Sequence, residues 1–186
     1  MRSFFMVSFA ALLVTLCCAE AAMTSANNAS AVNFSSVYTD LNRDCRNALK
    51  SVGEGQDMPL RCKGYGGYKI SIGFSAMASH LSVDSLDDKY SNSLAMQQLN
   101  YDQEKGRKIE WRLADGKPFA VILRISKYND ENAGTIEYFS EQNKTGEFLL
   151  VKGLKGYEKI DFEVDVKSGG NVNEKARQLA DSNYGK

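Results

Sequence analysis

Cys45 and Cys62 are the residues of this chain whose type and spacing most directly predict covalent chemistry. The chain holds 4 cysteines, and the other two, Cys17 and Cys18, lie in an N-terminal segment that has the basic start, apolar run and small-residue cleavage site of a secretory signal. Removal of residues 1–21 leaves an even pair in an exported protein, where disulfides form and persist. We therefore predict a disulfide between Cys45 and Cys62 and a periplasmic or secreted location.

Residues suited to catalysis are few. His80 is the only histidine, so a serine- or cysteine-based catalytic group has to include it, and oxidised cysteines supply no thiolate. Asp161, Glu163 and Asp165 share one face of a predicted strand, and paired carboxylates can hydrolyse glycosides at such separations. Flanking lysines and an apolar opposite face are more typical of a solvent-facing strand. We therefore predict no catalytic residue and no cofactor. We also predict no metal site, because one histidine and two disulfide-bonded cysteines do not supply the ligands of a usual zinc site.

A glycine-rich turn follows the second cysteine, with the sequence Cys-Lys-Gly-Tyr-Gly-Gly-Tyr over residues 62–68. No Lys-Ser or Lys-Thr follows it, so it is not a phosphate-binding loop, and its glycines favour a tight entry to a strand. A tyrosine held on such a turn beside a disulfide makes the rigid, amphipathic contact that protein interfaces favour. The candidate partner-binding residues are Tyr65, Gly66, Gly67 and Tyr68. The alternative is that Tyr65 packs over the edge of the domain.

Composition argues against nucleic-acid and membrane partners. The chain has 23 Lys and Arg and 23 Asp and Glu, which leaves no basic excess for nucleic acid or anionic lipid. The apolar run of the signal is shorter than the ~20 residues that span a bilayer, and no later stretch approaches that length. We therefore predict no membrane span. Acylation at Cys17 or Cys18, which would make the protein a lipoprotein, is the alternative.

The chain divides into three parts. Residues 1–21 are the predicted signal peptide, and residues 22–36, which are small and polar, are predicted to form a flexible leader. Residues 37–186 are long enough for one domain with its own core.

Helical spacing marks the start of the predicted domain. Thr39 is a suitable N-cap, and apolar residues then recur on one helical face until Gly53. From Tyr68 to Phe74 the period changes to two, which predicts a strand with one buried face. Residues 76–108 are polar and weakly periodic, so we expect long loops there, with a short helix over 93–101.

The clearest hairpin signal is Asp115-Gly116 between two alternating segments, over 109–113 and 119–125. Counting from the turn pairs Leu113 with Phe119 and Trp111 with Val121. The opposite face carries Glu110, Arg112 and Arg124, for which we expect internal salt bridges. Further strands are predicted over 136–139, 147–151 and 160–167, and a final helix begins after Asn171. The expected fold class is α+β: an antiparallel sheet of about five to six strands, with an N-terminal and a C-terminal helix packed on one face.

Four segments together resemble an uncharacterised family of small exported proteobacterial proteins. They are Tyr38–Leu41, Cys62–Tyr68, Glu110–Arg112 with Lys117–Arg124, and Ala176–Asp181. The resemblance implies a bacterial envelope protein and supplies no activity. Members often carry an additional cysteine followed by histidine before the last helix. Here residues 157–161 contain neither, so no role of that pair transfers.

These observations favour an exported, non-catalytic binding or cell-envelope accessory module with an unknown protein partner. A narrower alternative is an inhibitor of a secreted hydrolase such as lysozyme, because small disulfide-stapled sheets suit rigid insertion of a loop. A second alternative is a hydrolase that depends on Asp161 and Glu163.

Overall fold

A computed structural model describes residues 31–45, 60–74, 79–97, 108–135 and 137–186. Within these ranges the chain is mostly β-structure, because extended segments pair with one another in two antiparallel sheets. The strands are β1 (Phe34–Asp40), β2 (Leu60–Lys63), β3 (Tyr68–Phe74), β4 (Ser79–Ser85), β5 (Ser91–Gln97), β6 (Lys108–Ala114), β7 (Lys117–Tyr128), β8 (Lys144–Gly153) and β9 (Asp161–Asp165).

The two sheets have different strand orders. The five-stranded sheet runs β1-β6-β7-β8-β9, and the four-stranded sheet runs β2-β3-β4-β5. The helical segments are α1 (Leu41–Asp44), three 3₁₀ turns (Asp130–Asn132, Glu141–Asn143 and Val166–Ser168) and α2 (Val172–Ser182). The predicted α+β class, with one sheet and both terminal helices packed on one of its faces, is therefore wrong. The fold is mostly β, with a single multi-turn helix in the described residues, at the C-terminus.

The N-terminal correction concerns β1. The predicted helix beginning at Thr39 is replaced by a strand that ends at Asp40 and a single helical turn, and residues 46–59 lie outside the described part. All seven residues of β1 pair with β6, which gives the backbone a ladder of hydrogen bonds that outweighs the local helical spacing. Phe34–Ser36, assigned to the leader from sequence, belongs to this strand. The predicted signal peptide, residues 1–21, lies outside the described residues.

The predicted long-loop region also folds into strands. β4 and β5 form a hairpin with its turn at residues 86–90. Residues 93–97 of the predicted short helix belong to β5, and its residues 98–101 lie outside the described part. Leu81 and Val83 are buried, while the intervening polar residues belong to the opposite face. That alternation is too short and too rich in serine to stand out in the sequence.

The β6–β7 hairpin is confirmed, with one change of register. Trp111 pairs with Val121 as predicted, but Leu113 pairs with Pro118 instead of Phe119, across a register shift. Pro118 has no backbone N–H to donate to the ladder, and such positions are typical of bulges. The shift places Leu113 and Phe119 in different apolar clusters.

The five-stranded sheet is covered on both faces. One cluster joins it to the four-stranded sheet and contains the fully buried Trp111 with Ile70 and Leu81. The other lies under α2, where Ala176 and Ala180 contact residues of β7 and β8. The predicted C-terminal helix is confirmed, and the side chain of Asn171 caps it by accepting from the Glu174 N–H at 3.2 Å.

Aromatic rings join the first strand to the last residues of the fold. The Phe34 ring lies 5.6 Å from the Tyr184 ring and 5.8 Å from the Phe119 ring, and Tyr157 stacks on Tyr184 at 5.3 Å. No helix in the described residues is both long enough and apolar enough to cross a membrane.

Candidate functional site

The predicted disulfide is confirmed. Cys45, directly after α1, is bonded to Cys62 in β2, with their Cα atoms 5.0 Å apart. Both residues are buried in the cluster between the sheets. The bond therefore fixes β2 from the core side, immediately before the glycine-rich turn.

The glycine-rich turn between β2 and β3 is tightly constrained. The Tyr68 N–H donates to the Tyr65 carbonyl at 3.1 Å, and Gly66 and Gly67 have φ angles of 57° and 94°. A Cβ on Gly66 would lie 2.5 Å from Cγ of Pro118. Gly66 is thus required both by backbone conformation and by the close approach of β7.

The two tyrosines of this turn have different surroundings. Tyr65 is 36% exposed. Tyr68 packs inward, with its ring 6.2 Å from that of Trp111 and 6.1 Å from that of Tyr90, and burial raises the pKa of its hydroxyl. Of the sequence-predicted contact residues, Tyr65 is therefore accessible to a partner, whereas Tyr68 packs against the core beneath the turn.

A second turn, residues 86–89, lies directly beside the first. The Leu86 N–H donates to the Gly67 carbonyl at 3.0 Å, which joins the β4–β5 turn to the β2–β3 turn. Leu86 is 65% exposed. We call residues 65–67 and 86–89 together the turn cluster. Sequence reasoning missed Leu86, whose only signal is a large apolar residue inside a polar turn.

Hydrogen bonds hold this second turn in shape. The Ser85 N–H donates to the Tyr90 carbonyl at 2.8 Å, and the Tyr90 N–H donates to Oγ of Ser85 at 3.0 Å. The Ser85 hydroxyl and the Lys89 N–H both donate to Asp87, and these bonds hold the pKa of Asp87 below its usual value. Asp88 pairs with Lys69, which likewise lowers the pKa of Asp88. The turn therefore keeps two ionised carboxylates at neutral pH.

The catalytic candidates do not assemble into a reactive group in the described residues. His80 is exposed on β4, opposite Gly73 and Met96 in the strand registers, with no described serine or carboxylate hydrogen-bonded to it. Asp161 and Glu163 line a cavity of about 540 Å³ between β5 and the five-stranded sheet. Asp161 already accepts from Nζ of Lys152 at 2.5 Å, as an ordinary surface ion pair.

A polar network occupies the face of the sheet beneath α2. Arg177 donates to both carboxylate oxygens of Glu110, and Arg112 donates to Asp181 at 2.6 and 2.5 Å. The internal salt bridges expected for Glu110 and Arg112 are thus present, and their partners on α2 were not predicted. Glu110 accepts a further bond from the Ser36 hydroxyl at 2.6 Å.

An open groove continues from this network, and we call it the α2 groove. Its volume is about 450 Å³, within the range of small-molecule sites. Its polar lining includes Tyr38, Lys108, Glu110, Arg124, Glu147 and Arg177. Arg124 donates to Glu147 at 3.0 Å.

No protein-family model, curated protein or solved structure matches this chain. The resemblance to small exported proteobacterial proteins therefore stays a prediction. The turn cluster and the α2 groove carry the functional argument.

Proposed function

We propose that this protein is an exported, non-catalytic binding module that contacts a protein partner through the turn cluster. One observation carries the proposal: Tyr65 and Leu86 present large apolar surfaces on adjacent turns that a backbone hydrogen bond joins. Large apolar side chains exposed together are typical of interaction surfaces.

The rigidity of the turns supports binding. Association costs free energy wherever loops and side chains must become ordered, and preorganised loops avoid much of that cost. Here the disulfide, the contact of Gly66 with Pro118 and the bond from Leu86 to Gly67 fix the turns beforehand. A tyrosine on such a support is the kind of residue that dominates interface energies.

Charges around the apolar pair would select the partner. Asp87 and Lys89 are exposed beside Leu86, and interface charges act mainly on specificity and association rate. The partner we propose is a protein with a shallow apolar pocket that accepts Tyr65 and Leu86. A secreted hydrolase such as lysozyme is the narrower candidate, because two joined turns suit insertion into a cleft.

The disulfide supports export. Buried disulfides persist in oxidising compartments and are rare in the reducing cytosol. We therefore place the protein in the periplasm or outside the cell, in line with its predicted signal segment.

Site-specific photocrosslinking tests the proposal in the full-length chain. The photoreactive residue p-benzoyl-phenylalanine would replace Leu86, and in a matched control it would replace Val32, which is 38% exposed ahead of β1 and lies in neither the turn cluster nor the α2 groove. The crosslinked protein would then be purified and its direct binding measured. We expect Tyr65→Ala and Leu86→Ala each to weaken binding at least about tenfold, the usual range for central interface residues.

The outcomes are distinct. A saturable partner that crosslinks at position 86 alone, and that loses affinity in Tyr65→Ala but keeps it in Val32→Ala, supports the proposal. If that partner is a hydrolase, its turnover should fall when the protein is added. Equal crosslinking at both positions, or unchanged affinity in Tyr65→Ala and Leu86→Ala, would overturn it.

A further inference from the structure

We propose that the α2 groove is a second, independent binding site, which takes a small organic monoanion with an apolar body. Its volume of about 450 Å³ lies in the range of sites that bind small organic molecules. The site differs from the turn cluster in every lining residue.

The floor of the groove supplies the apolar contact. Ile122 and Leu149 form its buried floor and belong to the apolar layer that Ala176 and Ala180 cover beneath α2, and the half-buried Val166 adds accessible apolar surface. Apolar surface that lines a groove favours a ligand that removes it from water. The ligand therefore needs an apolar body.

The charges of the lining select an anion. The lining contains three cationic side chains and two carboxylates. The cations are Lys108, Arg124 and Arg177, and the carboxylates are Glu110 and Glu147. Arg177 and Glu110 neutralise each other, as do Arg124 and Glu147. One positive charge is thus left over in the lining.

Lys108 is the source of that charge. It is exposed and forms no ion pair with a described residue. Asp40 lies opposite Lys108 in the β1–β6 ladder, but it accepts the Arg43 N–H at 3.2 Å and does not line the groove. At the rim, Lys144 and Glu174 add one charge of each sign through their bonds to Glu147 and Arg177. A single acidic group is therefore the complementary charge.

Tyr38 adds a directed hydrogen-bond donor. Its hydroxyl oxygen accepts from Nη2 of Arg177 at 2.9 Å, and no described residue accepts its proton. Because Arg177 is held by Glu110, the hydroxyl has a fixed position at the groove. It can donate to the same acidic group that Lys108 attracts.

A matched pair of fluorescent probes tests this site in the full-length protein. Anilinonaphthalene sulfonate has an apolar body and one sulfonate, and N-phenyl-naphthylamine has the same body without the charge. We expect one saturable site for the sulfonate. Lys108→Met should weaken its binding about fivefold, as loss of one partly exposed ion pair implies, and should change binding of the neutral probe less than about twofold.

The control and blocking variants localise the effect. Lys175→Met removes an exposed lysine of α2 that does not line the groove, so sulfonate binding should stay unchanged. Asn173→Trp places a large side chain at the exposed rim and should reduce binding of both probes. Tyr38→Phe, which removes only the hydroxyl, should weaken the sulfonate selectively. Circular dichroism of each variant checks the fold.

Three results would overturn the proposal. They are the absence of saturable sulfonate binding, sulfonate binding that is unchanged in both Lys108→Met and Asn173→Trp, and equal losses in Lys108→Met and Lys175→Met. Selective loss in Lys108→Met and Tyr38→Phe supports it.

Discussion

Arg177 on α2 and Glu110 on β6 form a two-point ion pair, with Nε at 2.6 Å from one carboxylate oxygen and Nη2 at 3.2 Å from the other. The Glu110 side chain is only 9% exposed. The hydrogen bonds to Glu110 raise the pKa of Arg177 above its ordinary value, so this guanidinium stays charged at all physiological pH. The pair joins α2 to β6 in addition to the apolar packing beneath the helix.

Arg177→Met should destabilise the protein by about 3 kcal/mol, because it leaves a buried carboxylate without its counter-ion. The double variant Arg177→Met/Glu110→Gln should recover part of that loss, since no charge is then left buried. Urea unfolding at neutral pH measures both. A double variant that is less stable than the two single changes added together would contradict this account.

Thr39→Val should cost about 1–3 kcal/mol, because it leaves a buried donor without an acceptor. Nε1 of Trp111 donates to Oγ1 of Thr39 at 2.9 Å, and Trp111 is fully buried. The chain has 1 tryptophan, so its emission reports this site alone. Thr145→Val, at an exposed position of β8, is the control and should change the free energy of unfolding by less than about 0.5 kcal/mol.

Gly66→Ala should be more destabilising than Gly67→Ala. Both residues have positive φ, which costs an alanine about 1 kcal/mol or more. A Cβ on Gly66 would also clash with the Pro118 side chain. A Cβ on Gly67 would have nothing within 4 Å. Thermal unfolding of the two variants compares their stabilities directly. An equal loss of stability would show that Pro118 moves to accommodate the new Cβ.

Acidification should weaken the fold through Glu147. Burial alone would raise the pKa of Glu147, but hydrogen bonds from Lys144 and Arg124 outweigh it and hold the pKa below the ordinary value of 4.5. The unfolded chain therefore binds a proton first as the pH falls. The stabilisation is complete above the unfolded pKa and is lost as the pH falls through the lower pKa of the folded state.

Urea unfolding between about pH 6 and about pH 3 measures this loss. Glu147→Gln should flatten the acid limb of the stability curve. Glu137→Gln, at an exposed turn position, should leave the curve unchanged. If stability falls equally steeply with acidification in Glu147→Gln and Glu137→Gln, Glu147 is not a source of the acid sensitivity.

Replacing Cys45 and Cys62 together by alanine should cost about 3 kcal/mol, the chain-entropy value for a loop closed by cysteines with a sequence separation of 17. The urea midpoint of the reduced wild type should approach that of the double variant. Reductant should leave the midpoint of the double variant where it was. A wild type that is insensitive to reductant would contradict the prediction.

The strands that sequence predicted correctly are those with a continuous local signal. β3 and β7 each carry large apolar residues at every second position, which pack into the cluster between the sheets, and α2 carries both a capping residue and an apolar stripe. The failure at β1 has a different cause. Its partner β6 is distant in sequence, so local helical spacing was the only available signal.

The candidate site likewise has a part with a local sequence signal and a part that depends on long-range contacts. The glycine pattern of residues 64–67 was sufficient to single out Tyr65, since positive φ is a local requirement. Leu86 could not be found, because its neighbour Gly67 is brought to it by the pairing of β3 with β4. The α2 groove also depends on tertiary contacts, above all that between Arg177 and Glu110.

The contact between the Phe34 and Tyr184 rings places the two ends of the described fold side by side. A circular permutant follows from it: Lys186 joined to Val32 through a short glycine–serine linker, with new termini opened at the exposed Gly134 turn. Such a chain should keep both sheets and α2. For the same reason, a carrier domain attached beside Phe34 or beside Tyr184 would leave from the same side of the described fold.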